Sequence, residues 1–263
     1  MDFKIKDKIA LVTAATRGLG RGCAEQLAAE GCRIAICSRD EVEAKKAAQE
    51  ISKATHAKVS GYRADMGKPE DIANLIKAVQ SDLGDPDILV TNAGGPAPGT
   101  FATTPLEEYE KGINLNLMSA VRLIYGLVPA MKQKRWGRII AITSISVKQP
   151  IANLLLSNTA RAGLTGFLKT VSTELAPDGI TVNAILPGLH KTGRVDQLAR
   201  HRAEQENKTP EQILQEMMSK IPSKTMGDPS DFGAMAAFLA SDHAKYITGQ
   251  NILLDGGNFS GLL

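Results

Sequence analysis

The chain has 263 residues, enough for one large domain, and no Pro/Gly/Ser-rich linker divides it. With 43% hydrophobic and 22% charged residues it can bury a sizeable core, which excludes extended disorder. The net charge of +3 comes from 31 basic and 28 acidic residues scattered without a basic block or interleaved aromatics, which excludes a nucleic-acid surface.

Met1 to Lys8, MDFKIKDK, has no apolar core like that of a signal peptide, and no apolar run approaches the roughly 18 residues of a membrane span. A cytoplasmic protein with no membrane partner is therefore expected. Short β-branched runs follow at 8–14 (KIALVTA), 33–38, 58–64, 87–93, 137–143, 179–186 and 251–255. Amphipathic stretches alternate with them: Gly22 to Glu30, Glu41 to Ala54, Pro69 to Leu83, Tyr109 to Lys132, Asn158 to Leu175 and Pro229 to Leu239. Strands that are apolar on both faces and alternate with helices imply a parallel sheet covered on both sides, a doubly wound α/β fold over residues 1–263. Residues 194–220 interrupt the rhythm with a charged helical insert. Its Leu198, Ile213, Leu214, Met217 and Met218 could form one helical face laid over the body, either as a substrate lid or as an ordinary surface pair.

Cys23, Cys32 and Cys37 have no zinc or disulfide spacing and read as reduced packing residues. His56, His201 and His243 lie in polar segments, so no metal site is expected.

The turn after the first strand is TAATRGLG, residues 13–20. A glycine-rich turn between a strand and a helix lets backbone N–H groups cradle a pyrophosphate, and Gly18 and Gly20 allow an approach that a Cβ would block. Position 14, where a first glycine is expected, is alanine. At the end of the second strand, 19 residues beyond Gly20, stands Arg39. An acid there would accept from a free ribose 2′-hydroxyl, whereas arginine favours a 2′-phosphate. Ser38, Arg39 and Arg17 together point to NADP(H); Asp40, one residue along, would favour NAD(H) if the turn shifted.

Further motifs follow in order: Ala64-Asp65-Met66, Thr91-Asn92-Ala93-Gly94, Asn116 within INLNLMSA, Pro187-Gly188 through Thr192, and Asp255-Gly256-Gly257. With the 13–20 turn, similar to TGxxxGxG, they span nearly the whole chain. The sequence resembles the short-chain dehydrogenase/reductase family, and within it the 3-oxoacyl-acyl-carrier-protein reductase branch. The resemblance implies a single-domain Rossmann fold with a seven-stranded parallel sheet, a carbonyl or acyl substrate, and a homotetramer or homodimer. It implies cofactor contacts from Thr13, Ala15, Thr16, Arg17, Gly18, Leu19 and Gly20, from Asp65 and Met66 at the adenine, and from Asn92, Ala93 and Gly94. Pro187, Gly188 and Thr192 would lie by the nicotinamide, and Asn116 would support the proton relay.

That family keeps a serine about 13 residues before a catalytic tyrosine, and a lysine four residues after it. Ser144 fits the serine place. The tyrosine and lysine places then hold Ser157 and Arg161, in the sequence SNTAR, and none of the tyrosines at 62, 109, 125 and 246 can be moved there without breaking the flanking match. Arg161 could hold ribose hydroxyls and stabilise negative charge, but it gives up a proton poorly. The hydroxyl of Ser157 is far less acidic than a phenol and its side chain is shorter, leaving room for a water. Lys148 and His190 are the candidate substitute donors. Two functions remain open: an NADP(H)-dependent oxidoreductase built on Ser144, Asn116 and Arg161, or an NADP(H)-binding sensor or scaffold with little turnover.

Overall fold

The computed structural model describes residues 2–262. The seven apolar runs form β1 (Ile9–Val12), β2 (Arg33–Ser38), β3 (Val59–Arg63), β4 (Ile88–Thr91), β5 (Gly137–Ile142), β6 (Ile180–Pro187) and β7 (Asn251–Leu254). They make one sheet in the order β3-β2-β1-β4-β5-β6-β7, every pairing parallel. The chain runs outward from β1 to β3, then returns to place β4 on the other side of β1. That reversal opens a crevice at the carboxyl ends of β1 and β4, the usual ligand position in such sheets.

Alternation along the strands divides the core in two. Leu11, Leu89 and Ile139 face a layer containing Leu75, Leu123 and Leu164. Ala10, Val12, Ile34, Val90 and Ile140 face Leu27, Ile51 and Phe232 on the opposite side. Each large aliphatic side chain so buried contributes about 1.5–3 kcal/mol of transfer free energy. The first layer is formed by α3 (Pro69–Asp82), α5 (Ser119–Lys134) and α6 (Leu155–Leu175); the second by α1 (Gly18–Ala29), α2 (Glu41–Thr55) and α9 (Pro229–Ala240). Helices α1 and α9 cross with their backbones touching, since a Cβ on Gly22 would stand 2.1 Å from the Pro229 carbonyl oxygen.

Several expectations need correction. Helix α1 begins at Gly18 instead of Gly22, so the glycine-rich turn is itself the first helical turn. The stretch expected as one helix from Tyr109 to Lys132 is α4 (Leu106–Ile113), a π-helical turn at Asn114–Met118, and then α5. By length and composition this helical run, Leu106–Lys134, could cross a membrane, which apolar runs alone did not suggest. In this fold its Leu123, Ile124, Leu127 and Met131 are committed to the core.

The insert forms α7 (Gly193–Glu206) and α8 (Pro210–Ser219). Its apolar residues do not make one face over the body. Ala199 and Ala203 of α7 close on Ile213 of α8 in a separate small core, flanked by Leu214 and Met217. Leu198 and Met218 are only half-buried. Arg202 and Lys208 both pair with Glu216, tying the two helices along their exposed side.

Candidate active site

At the end of β1, Thr13 and Asn92 lock two strand ends together. The Thr13 hydroxyl donates to the Asn92 carbonyl at 2.7 Å and accepts from the Asn92 N–H at 2.8 Å, while Asn92 Nδ2 donates to the Ala14 carbonyl at 3.0 Å. Ala14 itself sits at φ +47°, in the left-handed region where glycine is free and a Cβ is strained. Gly18 has φ +62°, and a Cβ on Gly20 would stand 2.7 Å from both the Ala14 oxygen and Asn92 Nδ2. Ala15 is fully buried, Thr16 and Leu19 are half-buried, and Arg17 is exposed. The N-cap Arg17 makes no side-chain hydrogen bond to the turn, and no acidic residue occupies it. These N–H groups and this dipole end suit an anionic group such as a diphosphate.

Beyond β2, Ser38 closes on the backbone of Asp40. Asp40 caps α2, its Oδ1 accepting from the N–H groups of Val42 and Glu43 at 2.8 and 3.1 Å. Arg39 and Arg17 are exposed, and among the described residues neither makes an ion pair. Asp65 accepts from the Gly67 N–H at 2.9 Å, beside the buried Met66. Ala93 is half-buried, and a Cβ on Gly94 would meet nothing within 4 Å, so open space lies beside the exit of β4. Pro187 ends β6, and Gly188 packs on the backbone of Asp255, which a Cβ would strike at 2.6 Å. Thr192, the N-cap of α7, reaches across to Gly18: its Cγ2 lies 3.5 Å from where a Cβ of that glycine would be.

Asn116 lies in the π-helical turn, where the extra residue per turn lets it point out of the helix ladder. Its Nδ2 donates to the Gly94 carbonyl at 3.0 Å, while its Oδ1 is buried without a partner among the described residues. Ser144 follows β5 and accepts from the Ser146 N–H at 3.0 Å, capping a short 3-10 turn. Helix α6 starts at Leu155 rather than at Asn158, which brings Ser157 into its first turn. Ser157 is buried, and its hydroxyl accepts from Arg161 Nε at 3.2 Å. Arg161 Nη1 donates to the Ile142 and Thr143 carbonyls, both at 3.0 Å, so part of its donor set is spent on the strand leading to Ser144. Burial, and secondarily repulsion from Arg194, pushes the Arg161 pKa down to about 10.

The two candidate substitute donors differ in setting. His190 is buried edge-on against Phe232, ring centroids 5.4 Å apart, and a Cβ on Gly227 would strike its ring at 2.7 Å. Burial lowers its pKa, so it is a packed, neutral ring and not a mobile acid. Lys148 sets its Nζ 5.6 Å above the Phe259 ring, toward the carboxyl-terminal segment.

Sequence reasoning missed Arg194, which was read only as the start of the insert. Its guanidinium lies against Gly95, 3.0 Å from where a Cβ would be, and Nη2 donates to the Pro96 carbonyl at 2.8 Å. A basic residue just after Thr192 was the available signal. A cavity of about 380 Å³ lies beneath the same helix start, lined by Thr192, Gly193, Val195, Leu214 and Met226.

Comparisons with known proteins agree with this arrangement. The family profile described as Enoyl-(Acyl carrier protein) reductase matches residues 13–258. The chain is 37% identical over 255 residues to the D-beta-hydroxybutyrate dehydrogenase of Cupriavidus necator, covering 96% of this chain and 98% of that protein. It is 34% identical to the 3-oxoacyl-[acyl-carrier-protein] reductase FabG of Staphylococcus epidermidis, covering 96% and 99%. Among solved structures, L-sorbose reductase from Gluconobacter frateurii, complexed with NADPH and L-sorbose, superposes with a TM-score of 0.95 at 32% identity over 100% of both chains.

Proposed function

Because this chain belongs to the short-chain dehydrogenase/reductase family, whose profile spans residues 13–258, we propose that it exchanges hydride between NADP(H) and the carbonyl or alcohol carbon of a small molecule. The observation that carries the reading is a diphosphate-ready turn at Gly18–Gly20 together with Asn116 on the Gly94 carbonyl after β4 and Ser144 after the neighbouring β5. NADP(H) is preferred over NAD(H) because Asp40 is spent on capping α2, while Arg17 and Arg39 stay exposed without ion pairs among the described residues. NADPH accompanies the similar L-sorbose reductase, which supports the same choice. The bound nicotinamide supplies the hydride.

This chain's residues supply the rest through an atypical centre without the tyrosine and lysine of YxxxK. Ser144 donates to the substrate oxygen. Arg161 and Ser157 form one hydrogen-bonded unit that supplies positive charge beside a hydroxyl. Protons come from solvent through Ser157 and Ser144, with Lys148, whose Nζ lies 5.6 Å over the Phe259 ring, as the alternative donor. The insert acts as a lid whose Thr192 and Arg194 lean on the Gly18 and Gly95 turns. The protein is cytoplasmic and works as a homodimer or homotetramer, which light scattering would report directly; a monomer at micromolar concentration contradicts this.

Mixing NADPH-loaded protein with ketones, β-ketoacyl thioesters and keto acids, and following nicotinamide absorbance by stopped flow, tests the reading. Oxidation by one class is the expected result. Tight NADPH binding with no oxidation by any class would instead favour a sensor or scaffold, a reading supported by the commitment of Arg161 Nη1 to two strand carbonyls.

A further inference from the structure

We propose that the cleft selects a substrate bearing a carboxylate on, or one methylene away from, its reacting carbon, held between Arg161 and Arg194. The proposal rests on the oxidoreductase reading and names the substrate class for the same site.

The two guanidinium groups border neighbouring strand exits. Arg161, on α6, donates to Ile142 and Thr143 at the end of β5, immediately before Ser144. Arg194, on α7, donates to Pro96 and stands on Gly95 in the segment leaving β4, and Asn116 holds the adjacent Gly94 carbonyl of that segment. Strands β4 and β5 are paired in the sheet, so the two guanidinium groups are anchored at adjacent strand exits, the exits that Asn116 and Ser144 also border. Repulsion from Arg194 adds, behind burial, to the lowering of the Arg161 pKa.

Neither cation has a counter-charge among the described residues. Among the described residues no carboxylate pairs with Arg161 or Arg194, and no acid acts to raise the pKa of either, while burial lowers both. The acids on nearby elements are engaged elsewhere or face outward. Asp228 pairs with Lys191, Glu206 and Glu216 pair with Arg202 and Lys208, and Asp196 is exposed. Arg161 is more than nine-tenths buried, and its Nη2 makes no hydrogen bond among the described residues. Arg194 spends its other contact on Gln197, a neutral side chain.

A buried cation without an anion is costly, and the cost is removed when a ligand brings the missing charge. A guanidinium edge matches a planar carboxylate through two parallel N–H donors. A β-ketoacyl thioester has no formal charge beside its carbonyl and would leave both cations unpaired. The geometry therefore favours a keto or hydroxy acid over an acyl-carrier thioester.

The test compares matched pairs, 2-oxobutyrate with its methyl ester and acetoacetate with its methyl ester, titrated into the full-length protein saturated with NADP+, a combination that cannot react, with calorimetry as the binding readout. At least one acid is expected to bind at least 10-fold tighter than its ester, with Arg194→Gln abolishing the difference and Arg194→Lys restoring part of it. Equal binding of acid and ester in both pairs, or an acid preference untouched by Arg194→Gln, would overturn the proposal. So would a loss in Arg194→Gln confined to NADP+ affinity, because that result assigns the arginine to the cofactor's diphosphate. If wild-type protein fails to bind NADP+ at all, the oxidoreductase reading falls first and this one falls with it. NADP+ binding without acid preference sinks the substrate class alone.

Discussion

The two ends of the cleft are built on different terms. At the cofactor end, backbone does the work: Ala14, Gly18 and Gly20 are set by φ angles and close approaches, and Thr13 and Asn92 lock the strand ends that present them. At the end proposed for proton transfer, side chains decide. Ser157 and Arg161 form a buried hydroxyl–guanidinium pair with no group of phenolic acidity. A backbone cradle tolerates little change in residue type, because a Cβ either fits or collides. A side-chain constellation can be exchanged while its helix is kept, so the chemistry can change under an unchanged fold.

Rebuilding the proton-transfer end should have the largest effect. The double variant Ser157→Tyr/Arg161→Lys places a phenol and an ammonium four residues apart on α6, and general acid catalysis by a positioned group is worth about 10²–10⁴-fold. Carbonyl reduction should rise within that range and acquire a new pH dependence, read from single-turnover NADPH oxidation in protein whose melting curve remains cooperative. An unchanged rate would mean that proton supply does not limit this centre. Next comes the cofactor end: if Arg39 holds the 2′-phosphate as proposed, Arg39→Asp removes a charge-assisted contact of about 1.5–3 kcal/mol, so NADPH should bind roughly 10–100-fold more weakly while NADH does not weaken. Parallel fluorescence titrations decide it, and equal losses for both nucleotides would remove Arg39 from the 2′-phosphate.

The ends also differ in how alkali should act on them. Burial pushes the thiols of Cys23 and Cys37, under the cofactor end, up to about 12 from 9.0. Between pH 9 and 12 the unfolded chain gives up protons that the native chain keeps, so these residues' contribution to stability declines as pH rises. Arg161 acts in the opposite direction. With its native pKa near 10, well below the unfolded value, the native state loses a proton first, and stability gains from that group as pH climbs. Urea melts from pH 8 to 11 should show a net fall, smaller in Cys37→Ala. A slope indifferent to that substitution would show that the thiol is not what alkali attacks.

Much of this was legible in the sequence, for reasons the two ends again make plain. All seven strands fall where β-branched runs predicted them, because a parallel sheet buried on both faces leaves continuous apolar runs. The glycine-rich turn was legible because Gly18 and Gly20 answer to short-range geometry. The π-helical turn at Asn114–Met118 was not: LNLM carries ordinary helical periodicity, and the bulge shows only in where Asn116 points. The partner of the insert's apolar residues was not legible, because five apolar residues give a period but not a partner; Ile213 packs on Ala199 and Ala203. Arg194 escaped notice for a related reason, since contact with Gly95, 99 positions earlier, leaves no local pattern.

The smallest effect belongs to the alanine where a glycine was expected. Ala14 at φ +47° bears the left-handed penalty of a Cβ, about 1–2 kcal/mol, and Ala14→Gly removes it. Glycine gives back about 0.5–1 kcal/mol through the greater freedom of the unfolded chain. A net gain of about 0.5–1 kcal/mol remains, which in a domain of this size raises Tm by about 2 °C. The backbone here is already fixed by Asn92 Nδ2 on the Ala14 carbonyl and by Gly20 packed below, so the path of the turn should not move. NADPH affinity should therefore stay within about 2-fold while Tm rises. A large gain in affinity instead would mean that the alanine methyl, and not the strain it creates, had been shaping the cofactor end.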